Sequence, residues 1–270
     1  MEESMKKIVV ASHKGGTAKT SSLLHLAAAL ALYHKKKCLL VDSDSQGNLS
    51  MSLGFELDDH DALPGVLRGE KNLSEVIKTT SIKGLDLVIG NSHLNMIESM
   101  PPLLTDAYSH ERLRRVLAEV DDQYDYCFID VPSALGWLCS SACYASDYAF
   151  VATTPEPFSV LAMEQLSGFF ESVQKNHDLK VFGVLFSMWD KRGATNEAAE
   201  EAINTYFPGL IFDAKIRRDK AIPDAVYRSA PVFKTKWRSR AGEDYKALAK
   251  EVLARLKKME KANSKKVVNV

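Results

Sequence analysis

Residues 7–21, KIVVASHKGGTAKTS, decide the fold of this chain. The apolar, β-branched run at 8–11 predicts a buried strand. A short loop with two glycines follows, and the Leu- and Ala-rich segment 21–33 predicts a helix. A strand, a glycine loop, Lys-Thr and a helix, in this order, are typical of a loop that binds phosphate.

The residue types of this loop predict its chemistry. Gly15 and Gly16 let the backbone close around an anion with its N–H groups pointing inward, and the helix N-terminus adds partial positive charge. Lys19 would reach the β- and γ-phosphates, and the Thr20 hydroxyl would ligate Mg²⁺. A tight strand-to-helix turn with a surface pair of lysines is the alternative interpretation.

The loop departs from the regular pattern G-x-x-x-x-G-K-[ST], because His13 and Ala18 replace both outer glycines. If position 18 requires a positive φ, alanine costs about 1–2 kcal/mol there. If the position is ordinary, alanine only adds a methyl group near the phosphates. The sequence leaves both possibilities open.

Strands and helices alternate along the rest of the chain. Apolar runs predict strands at 37–41, 85–89, 126–130, 148–153, 181–188 and 210–212. Helices are expected at 110–120, 158–173, 194–206, 222–228 and 240–262, and Pro101-Pro102 marks a loop. Continuously apolar strands predict an α/β fold with a doubly wound, mostly parallel sheet and helices on both faces. We expect one domain over 1–262 and a flexible tail over 263–270.

The charge balance, the hydropathy and the cysteines limit the classes of function that this chain could have. The 35 basic and 35 acidic residues balance, so nucleic-acid binding would need a local patch. No apolar run approaches the roughly 20 residues of a membrane-spanning helix, and we expect a cytoplasmic protein with reduced thiols. Cys38 and Cys127 lie in strand runs and are expected in the core. A metal pair at Cys139 and Cys143 would lack its remaining ligands.

Three aspartates stand where predicted strands end. Asp130 is placed like the acid that holds Mg²⁺ through water in nucleoside triphosphatases. Asp42 and Asp44 would point the same way if the second strand continued to residue 44. One could then bind a Mg²⁺-bound water while the other orients the attacking water. The alternative is that such aspartates cap the next turn or helix.

Three segments carry a recognisable set of motifs. Residues 14–20, KGGTAKT, resemble the deviant Walker A motif K-G-G-x-G-K-[TS]. Residues 42–48, DSDSQGN, resemble the switch I segment D-x-D-P-Q-G-N, and residues 124–136, YDYCFIDVPSALG, resemble Walker B and switch II, Y-D-x-x-x-[IV]-D-x-P-P-x-L-G. Over residues 5 to about 257 the chain resembles the ParA/Soj type of partition ATPases, which are related to MinD. The resemblance implies the deviant Walker A class of the P-loop NTPase fold.

The resemblance implies ATP and Mg²⁺ as cofactors and a homodimer that sandwiches ATP. Lys14 is then the signature lysine that reaches the nucleotide of the other protomer, beside Lys19, while Asp44 orients the hydrolytic water. The metal would be held by Thr20, Asp42 and Asp130. The implied nucleotide contacts are Lys14, Gly15, Gly16, Thr17, Ala18, Lys19, Thr20 and Ser21 in the loop, with Met188, Arg217, Arg218 and Asp219 near the adenine.

Three departures from the family pattern bear on activity. Ser45 replaces the switch I proline, Arg217 stands where proline is more usual, and Ala18 replaces a loop glycine. From Ala18 we expect slow hydrolysis with intact ATP binding, and the resemblance implies that a partner protein stimulates it.

A basic segment lies towards the end of the chain. Residues 212–240 hold nine basic and three acidic side chains, with Trp237 among them. Such a patch suits contact with the phosphate backbone without base readout, and an ordinary solvated surface is the alternative. With the resemblance, it predicts non-specific DNA binding in the ATP state and association with the nucleoid, through Arg228, Lys234, Lys236, Arg238 and Arg240.

The resemblance also implies a ParB-like or cargo-adaptor protein that stimulates hydrolysis. The cargo would be a plasmid, a chromosome origin or a protein assembly such as carboxysomes. A MinD-like membrane-associated ATPase is one alternative, although residues 256–266 are too polar for a membrane-surface helix. An iron–sulfur reductase would need exposed cysteines at a dimer interface. An ATP-gated DNA-binding module with little hydrolysis is the third alternative.

Overall fold

A computed structural model describes residues 4–57, 62–99, 108–236 and 238–267, of which Val160 and residues 263–267 are described by their backbone alone. Pro101, Pro102 and Trp237 therefore lie outside the described residues. One seven-stranded sheet organises the rest. Its strands are β1 (Lys6–Ala11), β2 (Cys38–Asp42), β3 (Ile77–Thr79), β4 (Leu85–Val88), β5 (Tyr126–Asp130), β6 (Tyr148–Thr153) and β7 (Lys180–Phe186).

The strand order is β3-β4-β2-β5-β1-β6-β7. Every neighbouring pair is parallel except β3 and β4, which pair antiparallel. This confirms the mostly parallel α/β sheet. Two details differ from the expectation. The sequence analysis did not predict β3, because three residues are too few to show a hydrophobic pattern. The strand expected at 210–212 makes only an isolated bridge, from Ile211 to Val184.

Helices connect the strands. They are α1 (Lys19–His34), α2 (Asn48–Ser52), α3 (Leu63–Arg68), α4 (Leu73–Val76), α5 (Leu94–Glu98), α6 (Arg112–Leu117), α7 (Trp137–Ala145), α8 (Pro157–Gln174), α9 (Asn196–Tyr206), α10 (Ala221–Tyr227), α11 (Val232–Thr235) and α12 (Arg240–Val267). The helix expected over 110–120 is α-helical only over α6, because 3₁₀ turns at Ser109–Glu111 and Ala118–Val120 replace its two ends. The backbone of α12 continues into the predicted tail, and residues 268–270 lie outside the described part.

The helices cover both faces of the sheet. Successive residues of β2 show this, since Leu39 packs into one buried cluster with α7 and α8 while Leu40 packs into the other with α1 and α12. Both faces are therefore apolar, which explains why β2 and β5 are buried along their whole lengths. Cys38 and Cys127 lie in this core, as expected.

The parallel arrangement brings the carboxyl ends of six strands, all but β3, to one edge. Within it, β5 lies between β1 and β2, and Asp42 at the end of β2 is the register partner of Asp130 at the end of β5. The loop after β1 starts at the same edge. Open α/β sheets bind their ligands at such an edge.

Candidate nucleotide-binding site

The loop between β1 and α1 lines an open cleft of about 440 Å³. A Cβ atom built on Gly15 or Gly16 would meet no other atom within 4 Å, so the glycine backbone borders free space on the cleft side. Gly16 has φ 78° and Ala18 has φ 59° and ψ 29°. The backbone at position 18 is therefore left-handed, which settles the question that the sequence left open: Ala18 is strained.

A buried ion pair lies beneath the loop. The Lys19 ammonium donates to Asp130 Oδ1 at 2.5 Å, and Thr20 Oγ1 donates to Asp130 Oδ2 at 2.7 Å. Asp130 is fully buried. Burial raises the pKa of Asp130, and the nearby Lys19 charge opposes this rise. The loop lysine and the strand-end acid, far apart in sequence, are thus in direct contact.

Asp42 lies beside Asp130 and is held by its own donors. Its Oδ2 accepts bonds from the Ser50 backbone N–H at 2.9 Å and the Ser50 hydroxyl at 2.7 Å, and its Oδ1 accepts the Asp44 N–H at 3.3 Å. Burial, followed by the Asp130 charge, raises the pKa of Asp42 to about 7. Ser50 was missed by the sequence analysis, because nothing in the order of residues indicates that α2 returns to the end of β2.

The oxygen donors fit a magnesium ion. Asp42, Asp130 and Thr20 offer two carboxylates and a hydroxyl, which are hard oxygen ligands. Among the described residues no group of three or more His, Cys, Asp or Glu side chains could hold a metal by themselves. This suits Mg²⁺, which is usually bound by one or two carboxylates together with phosphate oxygens and water.

Asp44 reaches the same cleft by a different route from the one expected. The strand β2 ends at Asp42, so the condition under which the two side chains would align, a strand that continues to residue 44, is not met. Asp44 lies instead in a turn, where its Oδ1 accepts the Gln46 N–H at 3.0 Å and its carbonyl accepts the Gly47 N–H at 3.0 Å. The turn places Asp44 in the lining of the cleft with Lys19 and Thr20.

Lys14 lines the cleft. Its ammonium forms an ion pair with Glu156, which immediately precedes α8. Next to it, His13 Nδ1 lies 3.1 Å from the carbonyl oxygen of Ser133, in the loop after β5. The sequence analysis missed Glu156, since the pair forms only when the loops after β1 and β6 meet.

A second cavity of about 720 Å³ adjoins the cleft, and we name it the base pocket. Gly16, Ala18 and Ser21 line both cavities. The rest of its lining is mainly apolar, and it includes the four residues predicted near the adenine, Met188, Arg217, Arg218 and Asp219.

Two of those four side chains are engaged with the protein. The Arg217 guanidinium donates to both oxygens of Asp244, with Nη2–Oδ1 at 2.6 Å and Nε–Oδ2 at 2.9 Å. The Asp219 carboxylate accepts the backbone N–H groups of Ala221 and Ala241, which offset the effect of burial and lower its pKa. Both side chains therefore fix the wall of the base pocket, and Asp244 is a further residue that the sequence analysis missed.

A third cavity, of about 880 Å³, borders the base pocket, and we name it the basic cleft. Trp189 and Asp190 line it together with six basic residues: Lys191, Arg192, Arg217, Arg218, Lys220 and Arg240. These come from the loop after β7, the loop before α10 and the start of α12. The tertiary structure therefore concentrates positive charge more tightly than the linear run does.

Of the five residues predicted from the linear run, only Arg240 lines the basic cleft. Lys234 donates to the Ser81 carbonyl, and Lys236 forms an ion pair with Asp224 at 2.8 Å. Arg228 and Arg238 are exposed elsewhere. The structure thus separates these five residues, while it adds Lys191, Arg192 and Lys220, which the sequence analysis did not select.

The packing gives no support to two of the alternatives, the membrane-associated ATPase and the iron–sulfur reductase. The apolar side chains of α12 from Ala241 to Leu256 are mostly buried in the domain, so that helix face is already covered. None of the helices in the described ranges combines the length and the apolar character needed to cross a bilayer. All four cysteines are buried, including Cys139 and Cys143 on α7.

The chain matches known proteins over nearly its whole length. A family model described as an AAA domain matches residues 5–181. The chain is 47% identical to a ParA family protein of Chlamydia pneumoniae, over 94% of this chain and 99% of that protein. It is 34% identical to the sporulation initiation inhibitor protein Soj of Bacillus subtilis, over 92% and 98%.

A solved structure extends the likeness to the fold. The cobyrinic acid a,c-diamide synthase of Mycobacterium smegmatis, with bound ADP and magnesium, superposes with a TM-score of 0.81 and 27% identity, over 94% of this chain and 96% of that one. Together with the loop, the paired acids and the sheet order, these matches show that the chain belongs to the ParA family of partition ATPases.

Proposed function

We propose that this chain is an ATP-dependent, dimerising ATPase that binds DNA non-specifically in its ATP state and positions or segregates a cargo. ATP and Mg²⁺ are its cofactors. The proposal rests on one observation: four side chains meet beneath the loop between β1 and α1, namely Lys19, Thr20, Asp42 and Asp130. A cation, a hydroxyl and two acids at one point are the parts that phosphoryl transfer requires.

Each of these side chains has a role that its surroundings support. Bound Mg-ATP supplies the phosphoryl group and the metal that neutralises its charge. Thr20, Asp42 and Asp130 would hold the metal, and Lys19 would exchange its bond to Asp130 for one to a phosphate oxygen. Asp44, half-exposed in the turn after β2, would orient the attacking water.

Lys14 is proposed to act across a homodimer. A cation that enters from a second chain stabilises developing charge on the phosphates, as an arginine finger does. In the single chain Lys14 is paired with Glu156, so dimerisation would replace this pair by the contact with the nucleotide of the other protomer. A ParB-like or cargo-adaptor protein would then stimulate the slow hydrolysis.

The basic cleft is the proposed DNA surface, and it would associate the protein with the nucleoid. Lys191, Arg192 and Lys220 face it beside Arg240, and mobile cationic side chains bind backbone phosphates without reading the bases. In a dimer both clefts would contact one duplex, so the number of released counterions, and with it the salt dependence, would increase.

Fluorescence anisotropy with duplex DNA tests the proposal. We expect tight binding with Mg-ATP or a slowly hydrolysed analogue, and weak binding with ADP. Arg192→Ala should reduce the slope of log affinity against log salt by about 1 if its guanidinium neutralises one phosphate. Lys250→Ala, which removes an exposed cation of α12 outside the cleft, is the matched control. Equal affinity in all nucleotide states would contradict the proposal.

A phosphate-release assay separates a working ATPase from an ATP-gated module with little hydrolysis. We expect slow release by the parent protein and none by Asp44→Ala, while both proteins still bind the nucleotide. Release that is equally slow in the parent protein and in Asp44→Ala would favour the module. Flotation with anionic vesicles, with and without ATP, tests the membrane alternative, and we expect no ATP-dependent flotation.

A further inference from the structure

One short segment forms a wall between two of the cavities. Arg217, Arg218 and Lys220 line both the base pocket and the basic cleft. We name residues 217–220 the shared wall. If a ligand in one cavity favours one position of this wall, it changes the site in the other cavity, and the two binding events are then thermodynamically linked.

The first turns of α12 hold the shared wall. Asp244 accepts the Arg217 backbone N–H at 3.0 Å as well as the two guanidinium bonds. Asp219 accepts the Ala241 N–H at 3.1 Å. Two carboxylates thus connect the wall to the helix that also supplies Arg240 to the basic cleft.

The opposite edge of the wall is held by backbone bonds. The Trp189 N–H donates to the Ile216 carbonyl at 2.9 Å, and the Arg218 N–H donates to the Trp189 carbonyl at 3.3 Å. Trp189 lines the basic cleft, and its neighbour Met188 lines both cavities. Both edges of the wall are therefore hydrogen-bonded, and a shift of the wall would break these bonds or displace α12 or the loop after β7.

The contact between Arg217 and Asp244 combines a two-nitrogen fork, which the more exposed Arg68–Glu70 pair also has, with partial burial. The Asp244 side chain is 12% exposed and the Arg217 side chain 28%, and the guanidinium binds the carboxylate through two nitrogens. A paired fork of this kind fixes orientation as well as distance. Asp244 itself lines neither cavity, so its effect on a ligand must pass through the wall.

We propose that the Arg217–Asp244 ion pair is the positioning contact that couples a nucleotide in the base pocket to DNA in the basic cleft. The inference rests on the proposed function. Without the pair, each cavity would keep its lining residues, but the wall would no longer transmit the occupancy of one to the other.

The test compares Asp244→Asn with the parent protein. DNA affinity is measured by anisotropy with and without a slowly hydrolysed ATP analogue, and nucleotide affinity is measured with and without DNA. We expect the nucleotide-induced gain in DNA affinity to fall about fivefold or more, within the usual range of coupling between contacting residues. The DNA-induced gain in nucleotide affinity should fall by the same factor, because linkage is reciprocal.

Two further variants sharpen the test. Arg217→Lys keeps the charge but loses the fork, and it should lose part of the coupling. Combined with Asp244→Asn it should lose little more than Asp244→Asn alone, since both remove one interaction. Glu243→Gln, which breaks an ion pair with Lys246 on the same helix, should leave the coupling unchanged.

The outcomes separate the two proposals. A parent protein whose DNA affinity ignores the nucleotide overturns the proposed function and the coupling with it. A nucleotide-dependent parent with unchanged coupling in Asp244→Asn and Arg217→Lys overturns only the coupling. Sedimentation velocity measures the ATP-dependent dimer in each variant. If a variant loses coupling only because it no longer forms the dimer, the proposal that the ion pair carries the coupling is also overturned.

Discussion

Replacing Ala18 by glycine should make this protein more stable. Ala18 is left-handed, with φ 59° and ψ 29°, and this conformation costs an ordinary L-residue about 1–2 kcal/mol. Glycine removes that cost but gives the unfolded chain more freedom, which offsets about 0.4–1 kcal/mol. The net gain for Ala18→Gly is therefore about 0.5–1 kcal/mol, or a rise in Tm of about 2 °C for a domain of this size.

The same helix supplies a matched control. Lys35 follows the C-terminus of α1 with φ 55° and ψ 31°, nearly the backbone of Ala18. Lys35→Gly should therefore give a similar gain in urea or thermal unfolding of the nucleotide-free protein. Ala18 lines both the cleft and the base pocket, whereas Lys35 lines neither, so only Ala18→Gly should also accelerate phosphate release.

Two results would refute this reasoning. If Lys35→Gly is stabilised and Ala18→Gly is not, the left-handed conformation at position 18 is not a source of strain. If Ala18→Gly is stabilised but its turnover is unchanged, the strain exists and has no part in the expected slow hydrolysis.

Three further predictions concern buried and interfacial groups. His25 is fully buried, and burial lowers its pKa to about 4. In the unfolded chain the His25 pKa is near 6.5, so the unfolded state binds the proton first as the pH falls. The free energy of unfolding should therefore be about 2 kcal/mol lower at about pH 5 than above about pH 6.5. His25→Gln should lack this loss when urea unfolding is measured across the pH range. Glu156→Gln should free Lys14 and raise the fraction of ATP-dependent dimer measured by sedimentation. The free energy of dimerisation should become more favourable by at most about 1 kcal/mol, because the pair is partly exposed. Glu164→Gln, at an exposed position of α8, is the control, and equal dimer fractions in the two variants would contradict the prediction. A Cβ at Gly90 would lie 2.2 Å from the Asp42 carbonyl oxygen, so Gly90→Ala should cost about 1–3 kcal/mol and weaken Mg²⁺-dependent nucleotide binding in calorimetry, while Gly168→Ala, with open space around it, should do neither.

The sequence by itself predicted the parts that depend on local order. Continuous apolar runs identified β1, β2 and β5 as buried strands, because a strand covered on both faces needs apolar side chains on both. The order of strand, glycine loop, Lys19-Thr20 and helix predicted a phosphate-binding loop, and the structure has that order of elements, since these residues are neighbours in the chain. The same local reasoning left the placement of Asp44 open, and the structure places it in a turn after β2.

Only the tertiary structure decided which distant segments meet. The pairing of Asp42 with Asp130 depends on which strands are neighbours, and the basic cleft depends on two loops and the start of α12, which meet only in the folded chain. The strain at Ala18 was undecided for a related reason: residue type alone does not give the backbone conformation of alanine, and only the folded loop shows that it is left-handed. Hydrophobic pattern and residue type act locally, whereas charge pairing and backbone strain are set by neighbours that folding alone brings together.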